Sequence, residues 1–275
     1  MTSSSASSQT QTIAIQIGDI NLSVLNNPND IGWYSQRQTY EEKNSRLYPL
    51  IAQHGFENFV DIGSNVGYVA VLAGKANPSL SIVSIEADPR LIPLISENLS
   101  KNTTNKFQVI HALLGLTDES TSSFSLNPSS TLDNRVSIKE WDQVQVPTRN
   151  MQSIAAELGL SENTFFKVDT QGYELQVISG MHEFLIENSG WRMKAEFAPY
   201  WLMSQGTEPI ELLDYLIKNF LVAEAPERVT FNTLVLDDLW DKALTLEQAS
   251  DFIDWVTNLN KDRRGWVDLL IRPKP

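Results

Sequence analysis

Four carboxylates stand where this chain could do chemistry. Asp61 lies in "FVDIGSNVGYVAV" (59–71), Glu86 closes "SIVSIE", Asp169 closes "FFKVD" and Glu196 sits in "RMKAEF". Each ends or follows an apolar run of strand length, and a carboxylate at a buried strand end is costly unless it is paired or used. The segment around Asp61 has a further pattern, D-x-G-x-x-x-G, in which Gly63 and Gly67 bracket Ser64 and Asn65. Gly63 suits a tight bend after a strand, and Gly67 a close approach of helix to strand. In an open α/β sheet, turns beyond the carboxyl ends of the strands hold ligands, near the point where strand order reverses.

Two ligands suit such a turn: a dinucleotide and S-adenosylmethionine. The dinucleotide fingerprint G-x-G-x-x-G needs a middle glycine so that pyrophosphate can approach the helix N-terminus; here that glycine is missing. Asp61 would repel a pyrophosphate but suits a ligand carrying a sulfonium and an ammonium. Glu86, at the end of the next strand, is placed to accept hydrogen bonds from two ribose hydroxyls. That group does not discriminate, because a nicotinamide dinucleotide needs it too. The first two features favour the sulfonium.

The elements that must carry these groups can be traced by pattern. Residues 13–25 alternate apolar and polar about Gly18-Asp19, a hairpin signal. Residues 32–55 predict a helical segment from about Tyr40, interrupted at Pro49. From residue 58, strand and helix patterns succeed one another, ending the first βαβαβ unit in "KFQVIHALLG", so a parallel sheet with right-handed crossovers is expected. Residues 116–150, rich in Ser, Thr and Asn, predict a surface excursion with a small antiparallel addition. A helix at "MQSIAAELGL", a buried strand at "NTFFKVD", one helix through "GYELQVISGMHEFLIENSG" and a strand "WRMKAEFAPYW" ending in aromatics follow. "TLEQASDFIDWVTNLN" predicts an amphipathic helix with a capping box at Thr245 and Gln248, and "GWVDLLIRP" a last strand. The expected fold is a doubly wound, mostly parallel α/β sheet, with a polar tail (1–11), a hairpin and helical extension (12–57) and one main domain (58–275).

The order of these pieces resembles the FkbM family of S-adenosylmethionine-dependent methyltransferases, which have the Rossmann-like class I methyltransferase fold. "FVDIGSNVGYVAVLAG", "IVSIEADPRLIPLISENLSKN", "VIHALLG", "FFKVDTQGYELQVISG" and "AEFAPYW" carry the resemblance, over about residues 58–201. Gln171 departs from the family, whose members often have Glu there. The resemblance implies O-methylation of a hydroxylated small molecule, free or carrier-bound: a polyketide, a peptide or a sugar. A nicotinamide-dependent oxidoreductase, or a cofactor-binding component without catalysis, are the alternatives.

On this basis Asp61, Gly63, Ser64, Asn65 and Gly67 are expected around the methionine part of the cofactor. Glu86 is expected at the ribose, with Ala87 and Asp88 beside the adenine and Leu113 at the ring's face or edge. Asp169 and Glu196 are the candidate catalytic groups, as general base or as direct partners of the acceptor hydroxyl. Two carboxylates are few ligands for Mg²⁺ or Ca²⁺, so a divalent cation is the less favoured role. Glu174, in the first turn of a helix, is accounted for by the helix dipole. Trp33 and Tyr34 are candidates for a lid, and Tyr200 and Trp201 for the cleft wall.

Bulk properties narrow the partners. The formal net charge is −13, which disfavours a nucleic-acid partner. The absence of cysteine removes thiol and disulfide chemistry. No apolar run is long enough to span a membrane, and a cytoplasmic enzyme is expected.

Overall fold

The computed structural model describes residues 11–27, 54–136, 138–225 and 240–275. The expected helical extension, with Trp33 and Tyr34, and most of the polar tail lie outside the described residues. The N-terminal alternation does form a hairpin. β1 (Thr12–Ile17) pairs antiparallel with β2 (Ile20–Leu25), with Ile17 opposite Ile20 across a turn where Gly18 has φ 57°. The βαβαβ unit comprises β3 (Asn58–Ile62), α1 (Tyr68–Ala76), β4 (Ser81–Glu86), α2 (Ile92–Asn102) and β5 (Phe107–His111). Buried Asn98 on α2 ties the hairpin to this unit. Its amide donates to the carbonyls of Ser23 and Val66 and its Oδ1 accepts from the Ser23 N–H.

Beyond β5 the chain departs from the expected single strand. The N–H of Ala112 still donates to the Glu86 carbonyl, but the chain then leaves the main sheet. β6 (Leu113–Gly115) joins β7 (Glu119–Leu126), β8 (Arg135–Val136) and β9 (Asp142–Asn150) in a second, four-stranded sheet, where β6 pairs parallel with β9. α3 (Met151–Leu158) follows, N-capped by Asn150, then β10 (Thr164–Val168). The expected long helix after β10 is two: α4 (Glu174–Ser179) and α5 (His182–Glu187). The break falls at Gly180, where a Cβ would lie 2.2 Å from the Gly115 carbonyl oxygen. The contact admits only glycine, and glycine is a poor helix former.

β11 (Arg192–Phe197) ends before Ala198, and Pro199 opens a short helix, α6 (Pro199–Ser204), so Tyr200 and Trp201 are helical rather than the aromatic end of the strand. α7 (Pro209–Asn219) and β12 (Phe220–Glu224) follow. α8 (Ala249–Thr257) comes after a turn that has the expected Thr245–Gln248 capping box, and the last strand is β13 (Val267–Pro273).

The main sheet has the order β12-β13-β11-β10-β3-β4-β5. Its strands are parallel except β13, which runs antiparallel to both β11 and β12. This is the doubly wound, mostly parallel sheet that the sequence predicts. The two faces are covered separately: Phe59, Phe165, Val71 and Leu99 belong to one buried cluster, and Phe166, Trp191, Met193 and Leu213 to the other. Strand order reverses between β3 and β10. The turns after these two strands therefore face one crevice, where an open α/β sheet binds its ligands.

Candidate active site

The turn after β3 is built almost wholly from backbone. The N–H groups of Gly63 and Ser64 both donate to the Ile85 carbonyl of β4, and the Ser64 hydroxyl donates to the Asp61 carbonyl at 2.7 Å. Gly63 has φ 72°, and a Cβ there would stand 1.9 Å from the Asp169 carbonyl oxygen. The two crevice turns thus touch through a residue that lacks a side chain. Asn65 has φ 51° and Gly67 φ 79°, so the chain bends twice through left-handed backbone before α1 begins. Gly67 also lets Ile95 of α2 approach, to 3.2 Å from the position of a Cβ.

Asp61 lies beneath this turn, fully buried, with Lys167 Nζ 3.2 Å from its Oδ1. Burial raises its pKa, and Lys167 opposes that shift. The sequence suggests a bare carboxylate that selects a cationic ligand; the structure instead has a paired carboxylate one layer below the ligand's surface. The missing middle glycine still distinguishes the turn from a dinucleotide site, but the charge of Asp61 is largely neutralised by its partner.

Glu86 is where the strand register puts it, at the end of β4. It accepts N–H groups from Asn65 and Asp88, each at 2.8 Å. Burial raises its pKa to about 7, against these two hydrogen bonds. Asp88 is buried and held by Arg90 (Nη2 at 2.7 Å) and by the side chain of Asn134. Ala87 and Leu113 pack with Phe124 and Val146 of the second sheet. The segment expected to be a surface excursion therefore borders the cofactor side directly, and the Thr131 carbonyl accepts from the Asn65 amide at 2.7 Å.

A row of charge crosses the centre of the sheet. Asp61, Lys167 and Lys194 are register partners on β3, β10 and β11, so their side chains share a face. Lys194 pairs with Asp268 of β13 at 2.7 Å. Two residues further along β10 and β11, at the crevice, stand Asp169 and Glu196. The Gln171 amide connects them, donating to Asp169 Oδ1 at 3.0 Å and, more weakly, to Glu196 Oε2 at 3.4 Å. Glu196 has its pKa pushed well above the usual carboxylate range by burial and by the charges of Asp169, Glu174 and Asp268. Glu174 is buried under the turn, where its carboxylate accepts from the N–H groups of Thr170 and Gly172 and from the Thr170 hydroxyl. Its role is to hold this turn. That is a structural role, as expected, but reached through direct hydrogen bonds rather than through the helix dipole alone.

Tyr200 and Trp201 stack edge to face at 4.5 Å beside these carboxylates' turn; a Cβ on Gly172 would stand 2.3 Å from the Trp201 carbonyl oxygen. Arg135 covers the Trp201 ring at 3.6 Å from its centroid and Arg264 covers Tyr200 at 4.5 Å. Sequence reasoning did not single out Lys167, Lys194, Asp268, Arg135 or Arg264. For the two lysines a signal was present: "FFKVD" and "RMKAEF" are apolar strands each interrupted by one lysine, which burial obliges to find a carboxylate. Among the described residues, no group of three or more His, Cys, Asp and Glu has the arrangement of a metal site. No helix among them is long and apolar enough to cross a membrane.

The sheet order and the glycine-bent turn beside a ribose-type carboxylate define a class I methyltransferase-like protein. Residues 61–221 match the methyltransferase FkbM domain, more than half of the chain, and the chain belongs to that family. Its methyl donor is S-adenosylmethionine. The residues fit that group: Glu86 offers a buried carboxylate suited to a diol, beside a turn that Gly63 and Gly67 let pack closely against Asp169 and Ile95. No curated protein matches the sequence. Solved structures resemble it at low identity. A methyltransferase from Geobacter sulfurreducens is 14% identical with a TM-score of 0.42, the match covering 89% of each chain. A DUF574 family protein from Streptomyces avermitilis is 10% identical (TM-score 0.46; 86% of this chain, 84% of that one). The O-methyltransferase TomG from Streptomyces achromogenes, involved in tomaymycin synthesis, is 9% identical (TM-score 0.40; 84% and 79%).

Proposed function

We propose that this protein methylates a hydroxyl oxygen of a small molecule, a natural product of polyketide or peptide type or a sugar, free or carrier-bound. The observation that carries this reading is the pair Asp169 and Glu196, joined by Gln171 at the mouth of the crevice beside the donor turn. When bound, S-adenosylmethionine supplies an activated methyl group for in-line displacement and departs as S-adenosylhomocysteine. The chain's own residues then have two tasks: to align the acceptor with the donor, and to remove the hydroxyl proton as the oxygen–carbon bond forms and the carbon–sulfur bond breaks.

Asp169 is the base in this scheme. It is more than a third exposed at the crevice and adjoins the donor turn through Gly63. Glu196, whose environment favours the protonated form, is poorly placed to take a proton and well placed to donate a hydrogen bond to the acceptor. Glu86, Asn65 and the turn at 63–67 bind the donor, while Tyr200 and Trp201 form the acceptor wall. Residues 58–275 act as one domain, with the hairpin as a brace.

The test is methyl transfer from isotopically labelled S-adenosylmethionine to a panel of hydroxylated polyketides, peptides and sugars, read by mass spectrometry. Asp169→Asn is expected to slow transfer by about 10²–10⁴-fold, the usual range for a lost general base, while S-adenosylhomocysteine affinity is unchanged. Tight binding with no transfer to any oxygen acceptor would favour the non-catalytic alternative.

A further inference from the structure

Lysine is among the residues least often buried, yet β10 carries Lys167 in mid-sheet at 5% exposure. Its ammonium does more than neutralise Asp61. It donates to the Gly63 carbonyl at 2.7 Å and lies 3.5 Å from the Ile62 carbonyl, and it stands 3.7 Å from Asp169 Oδ2. One cation from β10 thus reaches the end of β3, the first residue of the donor turn and the acceptor-side carboxylate. The N–H groups of Gly63 and Ser64 point the other way, toward the Ile85 carbonyl of β4. The Ile62 carbonyl also accepts the Asp169 N–H at 3.1 Å, whereas the Gly63 carbonyl takes its short hydrogen bond from Lys167.

We propose that Lys167 is a positioning residue for the methyl donor, holding the turn at residues 62–63 in its binding shape from beneath. This rests on the functional reading above, in which that turn binds the donor. Asp61, completely buried, serves the ammonium as counter-ion and does not meet the donor. The two members of the ion pair are therefore unequal: both support the fold, and of the two only Lys167 hydrogen-bonds the turn, at the Gly63 carbonyl.

The inequality can be measured on the full chain, with S-adenosylhomocysteine as the probe. Lys167→Met leaves the buried Asp61 carboxylate unpaired, Asp61→Asn leaves the ammonium only the more distant Asp169, and both are expected to lower the melting temperature. Affinity should separate them. A charge-assisted hydrogen bond to the turn is lost only in Lys167→Met, which is expected to weaken binding by about tenfold or more, against about threefold or less for Asp61→Asn. If Lys167→Met does not fold, the neutral pair Asp61→Asn/Lys167→Met is compared with Asp61→Asn alone, with the same tenfold expectation. Equal losses of affinity in the two single variants, tracking their melting temperatures, would reduce Lys167 to a stabilising ion-pair partner and overturn the proposal. So would unchanged affinity on loss of the ammonium. Failure of the unaltered chain to bind the probe would instead sink the functional reading.

Discussion

The turns after β3 and β10 face the same crevice and are made in opposite ways. The first is backbone: glycines at 63 and 67, N–H groups given to one carbonyl of β4, and its carboxylate sunk beneath it and paired with a lysine. The second is side chain: Asp169 and Gln171 stand at the crevice, with Glu196 of the neighbouring strand, while a buried Glu174 gathers the turn's N–H groups. Each turn has a buried carboxylate under it, but Asp61 is answered by an ammonium and Glu174 by the backbone. The difference matches the two halves of a methyl transfer. A donor that never varies suits a site made of main chain and fixed in advance, whereas an acceptor needs groups that can exchange a proton.

The contrast breaks most severely at its point of contact. Gly63→Ala puts a Cβ against the Asp169 carbonyl in a backbone region hostile to side chains, and is expected to cost at least about 4 kcal/mol and to abolish S-adenosylhomocysteine binding. Gly172→Ala, with a comparable clash against Trp201, is expected to destabilise the chain while what folds still binds the ligand. Thermal melts and calorimetry on both variants would show whether the turns are as separable as they look.

A milder probe sharpens the donor side alone. Glu86→Gln removes the charge that a ribose diol would meet and is expected to weaken S-adenosylhomocysteine by about 1.5–3 kcal/mol; because each Glu86 oxygen accepts a backbone N–H, the amide leaves one of the two without an acceptor and the melting temperature falls as well. Isothermal titration gives that number directly.

The smallest change in affinity is a pH dependence. Glu86 ionises near 7 when folded, against its ordinary 4.5. Between those values the folded chain keeps a proton that the unfolded chain has released, so this residue's contribution to stability falls by about 3 kcal/mol as pH rises through the window and is flat above it. The ligand's hydroxyls favour the ionised form, so affinity runs the other way. S-adenosylhomocysteine is expected to bind about tenfold more tightly at pH 8 than at pH 6, with proton release visible as a buffer-dependent binding enthalpy. Affinity independent of pH would remove Glu86 from the ligand's contacts.

The turn after β3 and the end of β4 were the more legible half of the crevice. Strand, glycine bend, helix and a carboxylate at the next strand end are local patterns, and local patterns survive in a single sequence. Asp61 shows the limit of such reading: its position was legible, but its counter-ion comes from a strand more than a hundred residues away. The register that pairs Asp61 with Lys167 is a property of the sheet. The predicted long helix after β10 failed for a similar reason, because the partner that forces Gly180 is the carbonyl of Gly115. Arg135 on β8 and Arg264 in the loop before β13 reach the aromatic pair, and nothing in their local sequence marks them. Lys167 and Lys194 were legible in principle, since a lone lysine in an apolar strand demands a carboxylate.

The most direct test of the account is a crystal structure with S-adenosylhomocysteine bound. The account places the ribose hydroxyls on Glu86, the amino-acid portion along residues 63–67, and the sulfur toward Asp169 and Glu196. A ligand seated away from the turn after β3, or one whose sulfur faces away from those two carboxylates, would contradict it.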